Sequence, residues 1–381
     1  MKILQLTAHF NPNVGGVETH LNDLVKELIN KGHEVFVLTY KPLTAKVVAK
    51  IYEKDDRLDI LRLPWFPGLF YKLVNKPILE FLYLVPGLFI ATPLVLLIKQ
   101  PDVVHSHGLV AGFIAVFWGK IFKIRVVTTT HSIYHFLSEP KALRAGGLYR
   151  NFAKWIFDNA DVVLTLSKQS KKEIVELGVE EKKIVVFTYW IDLKKFNVIS
   201  NKKQAKRKLG WERKFVVLFV GRLVVEKGIL QLLEAVKVWN KNFYVIVCGV
   251  GPLGEKVRES VDSGLNVMYL GNIEQDELPK IYNAADVTIV PSIHEEGFGR
   301  VILESLACGT PVIAANRGAI PEAMDESVGR LIRITPENIK KEVEYFYKNP
   351  DKLGKLSKNA RKFAEKRYSE RNIELIVRSY S

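Results

Sequence analysis

Short apolar runs recur along the chain, each followed by a stretch in which apolar residues return every three or four positions. The first run, KILQL, leads through a loop containing Gly15 and Gly16. It is followed by VETHLNDLVKELINKG, where Val17, Leu21, Leu24, Val25 and Leu28 fall on one face at helical spacing. HEVFVLTY, VVHSH, RVVTTTH and VVLTLS are further runs, short and rich in valine and threonine, as strands buried on both faces are. Near residue 190 the pattern restarts. FVVLFVGR, KGILQLLEAVKVW and FYVIVCGVG read as strand, helix and strand, and LNVMYLG, DELPKIYNAA, VTIVPS, RVILESLACG and PVIAA continue the alternation. Such alternation predicts parallel sheets covered by helices on both faces. The expected architecture is therefore α/β, with two Rossmann-like, doubly wound parallel-sheet domains facing a cleft. Residues 1–192 form the first domain, 193–364 the second, and 365–381 a helical C-terminal segment with a break at Tyr368-Ser369.

One segment departs from the rhythm. From Phe81 to Ile98 the chain reads FLYLVPGLFIATPLVLLI, eighteen residues without a charge, at the lower length limit for a membrane span. Pro86, Gly87 and Pro93 interrupt it, and such residues break or kink helices. Buried helices of the first domain are the primary reading. The alternatives are a patch that dips into one leaflet, helped by Trp65, Phe66, Phe70 and Tyr71 and the flanking lysines, and, ranked last, a true membrane span.

Composition changes the picture in two ways. Lys and Arg number 56 against 41 Asp and Glu, a formal net charge of +15 over 381 residues. Such an excess favours anionic partners: nucleotides, phosphorylated substrates, nucleic acid or an acidic membrane surface. The two cysteines, Cys248 and Cys308, are too few for a disulfide framework and read as reduced core residues of a cytoplasmic protein. The N-terminal MKILQLTAHFNP reads as a first strand and not as a signal peptide.

Ligands of doubly wound sheets bind at the C-terminal strand ends, so the loops there are where chemistry is expected. After the first strand, HFNPNVGGVE offers two glycines and a helix start, either a phosphate contact or a tight turn. After VVLFVGR, Arg222 and Lys227 are two cations suited to a diphosphate, unless they are solvated charges and Glu226 neutralises one. GVGPLG formally matches a dinucleotide fingerprint. The next strand, LNVMYL, ends in Gly271-Asn272 without the acid that would hold a ribose, so a tight turn is the reading. PSIHEEGFG places Glu296 in a loop after the strand VTIV. Gly297-Phe298-Gly299 follow, and a helix then starts near Arg300 with Glu304 early in it. A charge beside SLACG must be paired or held by ligand, because bare burial is costly. A sugar and a ribose, one per glutamate, would supply hydroxyls for both, with phosphate between. His105, His107 and His131 cluster at strand ends of the first domain. A zinc site, sugar contacts and plain structural roles all remain open for them, and His131 is the best placed for the cleft.

Together, NVGGVETHLNDLVKELINKGHEVFVLT, VGRLVVEKGILQLLEA, YNAADVTIVPSIHEEGFGRVILESLACGTPVIA and GAIPE resemble the retaining GT-B glycosyltransferases of the glycosyltransferase 4 family, over nearly the whole chain. The resemblance implies a GT-B fold with an acceptor-binding first domain and a nucleotide-sugar-binding second domain. It implies a last helix that crosses back to the first. Gly15 and Gly16 would approach the donor phosphates and sugar. Arg222 and Lys227 would hold the leaving diphosphate, and Glu296 the sugar hydroxyls. Phe298 and Gly299 would offer backbone, Glu304 would hold the ribose, and His131 would face the sugar. No metal and no cofactor is implied beyond the donor substrate. The partners expected are a nucleotide sugar, a lipid-linked or glycan acceptor and an anionic membrane surface on its cytoplasmic side, but no nucleic acid. Thr188, Tyr189 and Trp190 stand where relatives carry a Pro-Asn-Gly turn, which bears on acceptor access. A nucleotide-sugar epimerase, a non-catalytic partner subunit and a nicotinamide oxidoreductase are the competing readings.

Overall fold

The computed structural model describes residues 1–13, 15–43, 48–66, 77–131, 142–199, 201–239 and 242–381. They form two compact units, Met1–Phe187 with Asn372–Ser381, and Thr188–Arg371.

The first unit is built on an eight-stranded sheet. Its strands are β1 (Lys2–Thr7), β2 (Glu34–Tyr40), β3 (Tyr52–Asp55), β4 (Leu58–Leu63), β5 (Val103–His107), β6 (Arg125–Thr130), β7 (Val162–Thr165) and β8 (Ile184–Val186), in the order β3-β4-β2-β1-β5-β6-β7-β8. Every pairing is parallel except β3 with β4. That edge hairpin lies in a stretch where the sequence pattern predicts no strand. Arg62 of β4 is buried, and its guanidinium ties the hairpin to the loop after β1. Nε and NH2 donate to the Asn11 carbonyl at 3.1 and 2.9 Å, and NH1 pairs with Glu53 at 2.8 Å. A buried charge needs such partners.

The second unit carries β9 (Phe215–Val220), β10 (Phe243–Cys248), β11 (Val267–Gly271), β12 (Val287–Val290), β13 (Val312–Ala315) and β14 (Gly329–Ile332), all parallel, in the order β11-β10-β9-β12-β13-β14. In each sheet the winding reverses once, between β1 and β5 and between β9 and β12. Such a switch point leaves a crevice at the C-terminal strand ends because the flanking connections leave in opposite directions.

The apolar segment corrects the sequence reading. Pro77–Lys99 is one helix with Pro86 and Pro93 inside it. Proline breaks a helix by deleting a donor and orphaning a carbonyl, and here neighbours repair the ladder. The Tyr40 hydroxyl sits between Leu84 and Leu88, donating to the Leu84 carbonyl at 2.5 Å and accepting from the Leu88 N–H at 3.0 Å. The Trp65 indole N–H donates to the Tyr83 carbonyl at 3.0 Å, and that of Trp118 to the Phe89 carbonyl at 2.9 Å. Only one face of this helix is buried, through Leu84, Leu88, Thr92, Val95 and Leu96, while Leu82, Ile90, Leu94, Leu97 and Ile98 are exposed. Residues Leu79–Lys99 are long and apolar enough to cross a membrane. Trp65, grouped above with the membrane patch, spends its N–H inside this packing. Phe66 is exposed, and Phe70 and Tyr71 lie outside the described residues.

Cys248 and Cys308 are free and buried, and burial pushes both thiols up, Cys248 to about 12. The GVGPLG glycines serve packing: a Cβ at Gly249 would fall 1.8 Å from the Gly221 carbonyl oxygen, and one at Gly251 2.5 Å from that of Leu223.

Candidate functional site

Arg222 and Lys227 follow β9, and Ser292, Glu296, Phe298 and Gly299 follow β12. These are the two loops flanking the switch point of the second sheet. The backbone joins them, since the Ile293 N–H donates to the Glu226 carbonyl at 2.9 Å. The Lys227 ammonium is hydrogen-bonded to Glu296 Oε1, which also accepts from Ser292 Oγ at 2.5 Å. Glu296 is therefore nearly enclosed, with its side chain 11% exposed against 24% for Lys227. Burial pulls its carboxyl up, but the Lys227 charge and the two hydrogen bonds outweigh that and hold it below its ordinary value. Glu296, not the neighbouring Glu226, neutralises Lys227. Arg222 stands exposed on the same loop, and among the described residues its guanidinium has no ion pair.

Gly299 opens the helix Arg300–Ala307 with φ 81°, a left-handed conformation that glycine takes without Cβ strain. Phe298 is buried, its ring edge-on to Tyr189 and to Tyr368, with centroids 6.0 Å away in both cases. Its side chain is thus committed to packing, and only its backbone can meet a ligand. Tyr189 and Trp190, the residues in place of Pro-Asn-Gly, are buried too. Glu304 is buried as well. Tyr282 donates its hydroxyl to Glu304 Oε2 at 2.9 Å, and Arg300 Nε lies 3.4 Å from Oε1. Both glutamates thus have partners inside the protein, so burial cost alone does not demand a ligand at either.

In the first unit, Gly15 caps the helix Gly16–Asn30, and the Glu18 carboxylate lies against it, 2.3 Å from where a Cβ would stand. Gly16 has open space at that position. His131, half-buried beyond β6, has Nε2 3.3 Å from His107 Nδ1, and its ring is edge-on to His20 with centroids 5.8 Å apart. Burial lowers all three clustered histidines, His105 to about 3 and His131 to about 4, with His107 also well below its ordinary value. They are neutral near pH 7. Among the described residues no group of three or more His, Cys, Asp or Glu is disposed to hold a metal ion.

Ser292, Tyr282, Gln5 and Tyr380 were not found from sequence. Gln5 carried a usable signal, a lone polar residue in an apolar strand. Arg300 and Glu304 stand four apart on a helix, the spacing of an ion pair. Tyr282 and Tyr380 carried none.

Compared with known proteins, residues 14–195 match the family model described as Glycosyltransferase Family 4, and residues 201–363 match the one described as Glycosyl transferases group 1. An uncharacterised glycosyltransferase of Methanocaldococcus jannaschii is 28% identical over 362 residues, 89% of this chain and 86% of that protein. A GDP-mannose-dependent alpha-(1-6)-phosphatidylinositol dimannoside mannosyltransferase of Mycobacterium tuberculosis is 25% identical over 360 residues, 92% of this chain and 89% of its own. Among solved structures, sucrose-phosphate synthase of Thermosynechococcus elongatus has a TM-score of 0.84 at 22% identity, covering 99% of this chain and 97% of that one. Anabaena HepE in complex with UDP-glucose has a TM-score of 0.73 at 20% identity, covering 100% and 98%.

Proposed function

The chain belongs to the group 1, family 4 glycosyltransferases, and from that premise we propose that it moves a hexose from a nucleoside diphosphate sugar to a glycolipid, polyprenyl-linked or glycan acceptor, with retention of anomeric configuration. The observation that carries this reading is the Lys227–Glu296–Ser292 contact at the switch point. An arriving diphosphate competes with Glu296 for the ammonium. Once Lys227 turns to phosphate, it and Arg222 stabilise the charge that grows on the leaving oxygen. Glu296 is then free to accept hydrogen bonds from the hexose. Glu304, a carboxylate able to accept several hydrogen bonds, takes ribose hydroxyls. The bond from the anomeric carbon to the diphosphate breaks, and the acceptor oxygen bonds that carbon on the same face. The acceptor's proton passes to the leaving phosphate, so no carboxylate nucleophile is assigned.

The names of the mycobacterial relative and of the HepE complex point to different donors, GDP-mannose and UDP-glucose, so the base is the first thing to measure. UDP, GDP, ADP and their sugar conjugates are titrated by calorimetry into wild type and Lys227→Ala. One nucleoside diphosphate should bind selectively, and the variant should bind it more weakly and transfer at least about a hundredfold more slowly. Near-normal turnover in the variant overturns the role of Lys227, and no nucleotide binding by wild type overturns the donor reading.

For the acceptor, the outward stripe of the Pro77–Lys99 helix supports a lipid-borne sugar, because a solvent-facing helix ordinarily turns polar residues outward. Ile121 of the neighbouring helix Gly108–Phe122 is also exposed, and Lys120 and Lys123 stand exposed near it. Co-sedimentation with anionic vesicles should fall severalfold when Ile90, Leu94 and Leu97 become serine. Absence of wild-type binding would favour a soluble glycan.

A further inference from the structure

Six polar side chains of the first unit form one hydrogen-bonded string. Gln5, His105, His107, Thr129 and Tyr380 are buried, and His131 closes one end half-buried. From the far end, Thr129 Oγ1 lies 2.7 Å from His105 Nε2, and His105 Nδ1 lies 2.7 Å from the Tyr380 hydroxyl. Gln5 Nε2 donates to that hydroxyl at 3.4 Å, and Gln5 Oε1 lies 2.7 Å from His107 Nε2. His107 Nδ1 then meets His131 Nε2 at 3.3 Å.

A neutral imidazole has one donor and one acceptor nitrogen, and burial keeps these three rings neutral near pH 7. The string therefore has a direction. The Gln5 carbonyl oxygen only accepts, so the proton of His107 is on Nε2. Its Nδ1 holds a lone pair and accepts from His131 Nε2–H. On the other side the Tyr380 hydroxyl accepts from the Gln5 amide and meets His105 Nδ1, and the same ring reaches Thr129 through Nε2. Turning the Gln5 amide over would put a donor against His107 Nε2 and reverse His107 and His131, so one amide orientation sets the tautomer of both rings. Tyr380 is held in contact with that amide. Arg125 Nε donates to the Ser379 carbonyl at 3.0 Å, and Lys31 pairs with Glu374 in the helix Ile373–Arg378 just before it.

We infer that Gln5, His107 and Tyr380 are positioning residues that lock His131 in the tautomer with its proton on Nε2 and its lone pair on Nδ1. This rests on the glycosyltransferase reading, in which the family resemblance turns His131 toward the donor sugar, and there Nδ1 acts as an acceptor and not as a donor. The C-terminal residues also enter the site through Tyr380, without touching the substrate.

The test is a long-range proton–nitrogen correlation on the full chain with 15N-histidine at pH 7.5. Eight imidazoles are present, and His131→Gln assigns the one in question. In wild type, His131 and His107 should each show a protonated Nε2 and a lone-pair Nδ1. The opposite tautomer, or an imidazolium, overturns the inference. Tyr380→Phe frees the Gln5 amide to turn, so His107 and His131 should become tautomer mixtures while His33 and His294 stay as they were. Transfer should fall by roughly tenfold or more with donor KM nearly unchanged, because a misdirected histidine tautomer acts on the chemical step. An unchanged His131 signal in that variant removes Tyr380 from the role. Gln5→Glu keeps an acceptor facing His107 Nε2 and should keep the wild-type tautomer at His131, which loss of packing alone would not predict. The wild-type tautomer is read without substrate, so absence of transferase activity would fault the functional reading and leave the string standing.

Discussion

Glu304 shows how one residue's surroundings decide what it can do. Its carboxylate is inside the protein, and it stays there because Tyr282 donates to one oxygen and the Arg300 guanidinium stands beside the other. Burial, and then the adjacent carboxylate, push the Tyr282 phenol well above its ordinary range, so it remains a neutral donor at any working pH. Tyr282→Phe keeps the ring but removes the donor, leaving a buried charge with one partner fewer. A loss of about 1–3 kcal/mol is expected, read as a lower urea midpoint with unchanged slope. A variant as stable as wild type would mean that water or Arg300 takes over the contact. Of the pair Lys227 and Glu296, the lysine is the more exposed, at 24% against 11%, so its ammonium is the partner open to the anionic ligand proposed above.

At the scale of elements, the Pro77–Lys99 helix is the instructive case. Its two prolines and Gly87 argue for separate short helices, and the argument is sound for an isolated chain. It fails because Tyr40, Trp65 and Trp118 come from distant parts of the sequence to engage the backbone groups around the breaks. Tyr40→Phe leaves the Leu84 carbonyl and Leu88 N–H without that hydroxyl. It should cost about 1–3 kcal/mol in chemical denaturation and raise amide exchange around residues 84–88. Exchange as slow as in wild type would show that the helix mends itself without Tyr40. The alternating pattern made the parallel strands and the helices after them readable. The β3–β4 hairpin was not, because its short strands lie at a sheet edge, where one exposed face blurs the apolar signal.

For the whole molecule, the clustered neutral histidines set a pH dependence. His105 and His131 titrate in the folded state at about 3 and about 4, and His107 well below its ordinary value, chiefly because burial disfavours the imidazolium. In the unfolded chain all three take protons near pH 6.5. As pH falls below 6.5 the unfolded state binds protons that the folded state refuses, so stability is lost. The loss continues down to the folded values, at about 1.4 kcal/mol per pH unit for each ring. Urea midpoints measured from pH 7.5 to 4.5 should decline with a slope that His131→Gln makes shallower. An equal slope in that variant would place the acid sensitivity elsewhere.

The sequence by itself determined the class of fold, the places where strands end, which loops carry Arg222, Lys227 and Glu296, and that Glu304 lies in the helix that follows. Those features depend on local periodicity and on glycines at fixed offsets, and both are properties of neighbouring residues. Tertiary structure alone decided who pairs with whom. It set Lys227 on Glu296, Tyr282 on Glu304, Tyr40 against the backbone of the proline-bearing helix, and Gln5 and Tyr380 behind His131. Each of these contacts joins side chains whose approach depends on strand order and helix packing, and no local pattern in one sequence encodes that.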